Sequence, residues 1–273
     1  MCEDKCDEVF VAILTGSQQV PPVTTTGSGF VRLVLDGHKL KVSGEFRHLE
    51  SAYDVNVGSH IHLGLAGTNG PVIFPLVAKV SSNGRSGIYK EKNNKFTLTD
   101  VQVSILKNRE YYVNVHTVAN PAGSIRGQIL PENECYYLAQ LSGLNEVPGI
   151  TGNTGARGTV ILELDACRNL IVSGSLAGLS GSVLNGGVQI NQGAVGQTGP
   201  VVFVLGLDPC NDCDGPVLAA DILSSRNVYP LTCAQAKALK KGQYYVNVLT
   251  DDFPLGEIRG QVRHLKVSKS NSC

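Results

Sequence analysis

The chain has 273 residues, 23 basic and 23 acidic side chains, 17% charged residues, 31 glycines, one methionine and no tryptophan. A net charge of zero excludes the basic footprint of a nucleic-acid binder and a polybasic membrane anchor, and no apolar run reaches the roughly 18 residues of a membrane span. The length suggests about two domains, and low charge with abundant glycine points to a turn-rich β protein rather than a disordered or helical one.

Residues 1–8 read as a polar tail carrying Cys2 and Cys6, and their acidic start lacks the form of a secretory leader. A first β domain is expected over 9–130. Val31, Leu33 and Leu35 alternate with Arg32, Val34 and Asp36, and Leu40, Val42, Gly44 and Phe46 alternate with Lys41, Ser43 and Glu45. Period-two alternation predicts antiparallel strands with one buried face, and Asp36-Gly37-His38 between them reads as a hairpin turn. His60-Ile61-His62 follows, then glycines 64, 67 and 70 ahead of Pro71. This glycine run lacks the Gly-Lys-Ser/Thr ending of a phosphate-binding loop and reads as a turn. Thr99 with Gln102 fits a capping box at the start of a short helix. Tyr111-Tyr112-Val113-Asn114-Val115 and Ile125-Arg126-Gly127-Gln128 close the domain.

After a polar linker at 131–135 the same signals return over 136–264. Leu141-Ser142-Gly143 with Val147-Pro148 repeats Leu14-Thr15-Gly16 with Val20-Pro21. Tyr244-Tyr245-Val246-Asn247-Val248 and Ile258-Arg259-Gly260-Gln261 repeat the closing blocks, and Thr232 with Gln235 repeats the capping box, with Gly242 placed to end that helix. The offset drifts only from 127 to 133, so insertions are confined to loops and both halves share one fold. The fold class expected is all-β: two tandem antiparallel β-sandwich, Greek-key-like domains, each with one short helix. Residues 265–273 form a polar tail ending in Cys273.

Taken together, Leu-Thr-Gly with Val-Pro-Pro, His60-Ile61-His62, Gly70-Pro71, Tyr112 to Thr117, Asn120-Pro121 and Ile125 to Gln128 resemble the CHRD domain, the module first described in chordin. The first copy matches almost completely. The second matches with losses: Gln189 and Asn191 stand where the histidines would be, and Leu249 stands in place of His116. The resemblance implies a structural or binding module of extracellular proteins and no general enzyme activity.

His60 and His62, two apart on a strand, project from one face, and His116 from a later strand can supply a third imidazole. These three are the candidate ligands for zinc or copper; no other cofactor is implied. The pattern is also similar to part of the copper–zinc superoxide dismutase set, which would make a metal-dependent oxidoreductase the alternative. The expectation, though, is no cofactor: the histidines are hydrogen-bonded and fasten a loop to the sheet, with zinc or copper as the alternative. Arg126 and Arg259, with Asn114 and Asn247, read as structural: a guanidinium has five fixed donors suited to pinning loop carbonyls.

Eight cysteines remain. Cys135, Cys167, Cys210, Cys213 and Cys233 are candidates for disulfides within the second domain, and Cys2, Cys6 and Cys273, on polar tails, for cross-links to neighbouring subunits. The function expected is a non-enzymatic, self-assembling protein of an extracellular setting or of a cell, spore or virion surface, whose partner is itself or a surrounding matrix, with no nucleic acid and no membrane span. A ligand-binding adhesin is a further alternative.

Overall fold

The computed structural model describes residues 7–133, 135–150, 155–208 and 216–265. The chain divides into two compact units, one ending at Glu132 and the other beginning at Asn133. The first contains β1 (Glu8–Thr15), β2 (Ser28–Asp36), β3 (Lys39–Arg47), β4 (Ser59–Leu63), β5 (Val72–Leu76), β6 (Ala78–Val80), β7 (Gly87–Tyr89), β8 (Lys95–Thr97), α1 (Asp100–Lys107), β9 (Tyr111–Val115), β10 (Ile125–Gln128) and β11 (Leu130–Pro131). The second contains β12 (Cys135–Ser142), β13 (Arg157–Leu164), β14 (Asn169–Ala177), β15 (Val183–Gln192), β16 (Val201–Val204), β17 (Ala220–Ile222), β18 (Val228–Pro230), α2 (Cys233–Lys240), β19 (Tyr244–Thr250), β20 (Ile258–Gln261) and β21 (Arg263–His264).

The first sheet runs β5-β4-β9-β10-β1-β2-β3-β7-β6, and the second repeats the order as β16-β15-β19-β20-β12-β13-β14-β17. Pairing is antiparallel between every named pair of strands, with β2 and β3 in register from Ser28↔Arg47 to Asp36↔Lys39 around the Gly37-His38 turn. Both helices carry the expected capping box, Thr99 with Gln102 and Thr232 with Gln235, and Gly242 follows α2 at a φ of 66°. Only a residue free of a Cβ penalty takes that left-handed turn at no cost.

Each domain is the antiparallel, sandwich-like β unit expected, built from one continuous sheet that curls back on itself. Ile61 and Val113 at one end share a core with Val42, Phe46 and Tyr89 at the other, which a flat sheet could not bring about. The alternating side chains make this possible: Val31, Leu33 and Leu35 are buried while Arg32 and Asp36 are exposed. Each such burial contributes about 1.5–3 kcal/mol. The curl is closed by an asparagine that the sequence does not advertise. Asn94, fully buried, receives the Val77 N–H on Oδ1 (2.8 Å) and donates from Nδ2 to the carbonyls of Val77 and Lys90 (both 3.0 Å). Its own carbonyl accepts from Val42 N–H on β3 (2.9 Å). One amide thus links the segment after β5 to the segment that pairs with β3. Asn227 repeats the device, exchanging two hydrogen bonds of 2.8 Å with Gly206 and one of 2.9 Å with Leu223.

A second internal tie has been rearranged between the copies. Glu50, just after β3, accepts from Thr25 Oγ1 (2.7 Å), Thr117 Oγ1 (2.6 Å), Asn120 Nδ2 (2.7 Å) and Ser124 Oγ (2.6 Å). In the second domain a serine, Ser180, holds the Glu50 position and the carboxylate comes from Glu257 at the Ser124 position, accepting from Ser180 Oγ (3.0 Å) and Thr250 Oγ1 (2.9 Å). Acid and hydroxyl have changed places while the bond between them is kept. Burial by itself would raise the Glu50 carboxyl, but the four donors outweigh it and hold the group at about 2, from a usual 4.5. A pKa depressed by folding adds stability above 4.5 that disappears as the pH falls from there toward 2. The first domain is therefore expected to lose unfolding midpoint over that acid range in a thermal scan, and Glu50→Gln to lower the midpoint at neutral pH and flatten the acid slope. A wild-type slope retained in the variant would refute this.

Candidate metal centre

The register of three strands builds a polar face opposite the core. His60 pairs with Asn114 and His62 with Tyr112 across β4 and β9, and Arg126 and Gln128 on β10 pair with Asn114 and Tyr112. Because side chains alternate, these residues share one face, while Ile61, Val113, Val115 and Ile125 point into the core. His116 directly follows β9 rather than lying within it, and its imidazole joins the others on the polar face.

Loops roof that face. Gln128 Nε2 donates to the Gly64 carbonyl (2.8 Å), Arg126 Nη2 to the Leu65 carbonyl (3.0 Å), and Asn69 Nδ2 to the Val20 carbonyl (2.9 Å). The Arg126 guanidinium lies 3.5 Å above the centre of the Tyr112 ring, whose other neighbour is the His62 ring, stacked at 4.9 Å and 11°. A cation on an aromatic face is favourable where water is excluded. Arg126 is 1% exposed. Burial lowers it to about 10, so it stays charged at neutral pH.

Within this enclosure one potential ligand atom from each of His60, His62 and His116 lies within 4.8 Å of the others. The ring centroids are 5.4 to 6.2 Å apart. Metal–nitrogen bonds of about 2.0–2.1 Å at tetrahedral angles place nitrogens roughly 3.4 Å apart, so side-chain rotations on the order of 1 Å gather all three around one ion. Hydrogen bonds prepare the nitrogens. His62 Nδ1 is 3.0 Å from the Gly70 carbonyl and His116 Nδ1 is 2.8 Å from the Pro121 carbonyl. A carbonyl only accepts, so each Nδ1 carries the proton and each Nε2 presents its lone pair. His62 Nε2 and His60 Nδ1 are buried without a hydrogen-bond partner. His116 Nε2 has only a long 3.4 Å contact from Asn114 Nδ2, whose amide is oriented by Gln19 Nε2 donating to Asn114 Oδ1 (2.7 Å). Backbone carbonyls that fix the tautomer of a ligating histidine are the usual outer shell of a metal site.

The electrostatics agree. Burial lowers the pKa of all three imidazoles from the usual 6.5. For His60 the neighbouring His116 adds to the fall; for His62 and His116 the Gly70 and Pro121 carbonyls oppose it. The three rings are neutral at neutral pH, the form that binds metal.

The second domain keeps the scaffold without the imidazoles. The Arg259 guanidinium lies 3.5 Å over the Tyr245 ring, and Asn191 Nδ2 donates to the Gly199 carbonyl (3.3 Å), as His62 does to Gly70. Gln189 turns to the Gly186 carbonyl (3.0 Å), and Leu249 offers no donor atom. Arg126, Arg259, Asn114 and Asn247 each donate from the sheet to a loop carbonyl.

Two sequence expectations change. Cys167 and Cys233 are free, exposed thiols in the structure and form no disulfide within the second domain; each sits on a polar edge, in the β13–β14 turn and at the first residue of α2. Cys135, 2% exposed at the start of β12, is disulfide-bonded. Cys2, Cys6, Cys210, Cys213 and Cys273 lie outside the described residues. Sequence reasoning also passed over Tyr112 and Gln19. The spacing Tyr112-x-Asn114-x-His116 carried the signal for the first, since alternate residues of a strand share a face.

A family model described as CHRD domain matches residues 10–129 and again residues 137–262. No curated protein and no solved structure matches the chain.

Proposed function

The chain belongs to the CHRD-domain family, with two tandem copies, and from that premise we propose that it is a non-catalytic binding protein whose first domain holds one divalent transition-metal ion on His60, His62 and His116. Modules of this family are extracellular in type and generally non-enzymatic, and among the described residues no helix is long and apolar enough to cross a membrane. The observation that carries the reading is the convergence of three neutral imidazoles, of which His62 and His116 are buried with their Nδ1 protons committed to carbonyls and His60 is half-buried. If the histidines served only to fasten loops, His62 Nε2 and His60 Nδ1 would not be left buried and unpartnered. Imidazole suits zinc and copper, and three such ligands leave one coordination position for water or a partner's side chain. Metal analysis after desalting tests the reading, and copper-loaded protein is expected to dismutate superoxide no faster than the same copper free in solution.

A second role, covalent assembly with copies of itself or with a matrix, is supported by the exposed thiols of Cys167 and Cys233. To these the tail residues Cys2, Cys6 and Cys273 add cysteines at both chain ends. Wild type is expected to run as multimers on a gel without reductant and as a monomer with it. Replacing Cys2, Cys6 and Cys273 by serine should remove most of the ladder, and replacing Cys167 and Cys233 as well should remove the rest. Monomeric wild type under oxidising conditions would end the idea.

A further inference from the structure

The two domains differ at one buried hydrogen bond in a way that requires an extra proton in the second. In the first domain Gln19 Nε2 donates to Asn114 Oδ1 at 2.7 Å, while Asn114 Nδ2 donates to the Ala122 carbonyl at 3.1 Å. In the second, Asn247 holds the Asn114 position and its Nδ2 donates to the Leu255 carbonyl at 3.2 Å, which fixes the amide the same way round. The residue in the Gln19 position, one before the Val-Pro step, is Glu146. Gly256 shows where the two side chains meet. A side-chain carbon placed on it would lie 2.6 Å from Glu146 Oε2 and 2.7 Å from Asn247 Oδ1, and its φ of 143° suits only glycine. Gly123 is crowded in the same manner by Gln19 Nε2 and Asn114 Oδ1. Glu146 Oε2 therefore stands where the first domain has an N–H donor, facing an oxygen that can only accept.

Both groups are more than nine-tenths buried, at 7% and 8% exposure. Asn247 Oδ1 and Glu146 Oε1 have no hydrogen-bond partner. Two acceptors held together out of water repel each other, and a proton on one of them turns the repulsion into a bond.

We propose that Glu146 is a neutral carboxylic acid in the folded protein, its Oε2–H donating to Asn247 Oδ1, and that loss of this proton loosens the loop 251–256 over the second domain's polar face. The step is a simple ionisation: the O–H bond breaks, the proton passes to water and the electron pair stays on the carboxylate. Burial raises the Glu146 carboxyl to about 7 from 4.5, even though the Arg259 guanidinium and the Val147 backbone N–H pull it down. The charged groups nearest it are Arg259 from β20, which favours the anion, and Asp252 from the loop, which lines the same pocket. A pKa raised by folding means that the acid form stabilises the fold fully below 4.5 and that this contribution is lost as the pH rises through about 7. The first domain, with Gln19, has no such response.

The test uses the full chain with carbon-13 in its glutamate carboxyls. One resonance, absent from Glu146→Gln, should titrate with a midpoint near 7, a proton affinity roughly 300-fold above that of an ordinary glutamate. The second domain's unfolding midpoint should fall as the pH rises from 4.5 to about 7 in wild type and level off above that, and should stay level across this range in Glu146→Gln, whose amide restores the first domain's donor. A Glu146 resonance that titrates in the ordinary carboxylate range overturns the proposal. So does a Glu146→Gln variant that keeps the wild-type pH profile.

Discussion

Protein incubated with excess zinc and desalted should retain one ion per chain, His62→Ala should retain none, and Gln189→His with Asn191→His and Leu249→His should raise the count toward two. The three-imidazole set in the first domain is the source of the first expectation. Removing His62 leaves two ligands and exposes the Gly70 carbonyl that oriented it. The loss should exceed the roughly 10–100-fold typical of deleting an outer-shell partner. The gain in the second domain follows from the retained scaffold, since Asn191 already points its amide at Gly199 as His62 points its ring at Gly70. Bound zinc should also raise the first domain's unfolding temperature, by linkage worth about 4 kcal/mol at a thousandfold excess over Kd. Wild type that retains no metal, or His62→Ala that retains as much, would show that the imidazoles only fasten loops.

Asn94→Ala should cost the first domain about 3–5 kcal/mol in urea unfolding, and Asn227→Ala a similar amount in the second. Each amide is fully buried, and its removal strips both the N–H and the carbonyl of Val77 or Gly206 of their partner and takes one of two donors from the Lys90 or Leu223 carbonyl, at the point where the curled sheet closes. Asn94→Asp distinguishes hydrogen bonding from packing. It keeps the shape but turns an oxygen toward the Val77 and Lys90 carbonyls, so it should be as damaging as alanine. A loss below about 1 kcal/mol for either variant would mean that closure rests on apolar contacts such as Phe74 with Phe96, 4.8 Å apart.

Both results bear on how the copies diverged. The second domain has kept the closing asparagine, the arginine–tyrosine stack and an acid–hydroxyl tie while giving up the imidazoles. Where the first domain has Glu50 and Ser124 the second has Ser180 and Glu257, and the acid–hydroxyl bond is present in both, which follows if the bond across the gap matters more than which segment supplies the charge.

The β2–β3 and β13–β14 hairpins, both helices, the repeat and the restriction of the three-histidine set to the first copy were determined by the sequence alone. Each depends on neighbours along the chain: a period of two for a strand, a threonine three residues before a glutamine for a helix start, a histidine two residues from another. The rest was decided in three dimensions. The tautomers of His62 and His116 depend on the carbonyls of Gly70 and Pro121, the curl is closed through the backbone of Val77 and Gly206, and Glu50 collects donors from four separate segments. Every residue has a carbonyl, and all but proline an N–H, so a side chain that bonds to the backbone leaves no mark in the identity of its partner. Only the folded chain shows which of these groups comes within reach.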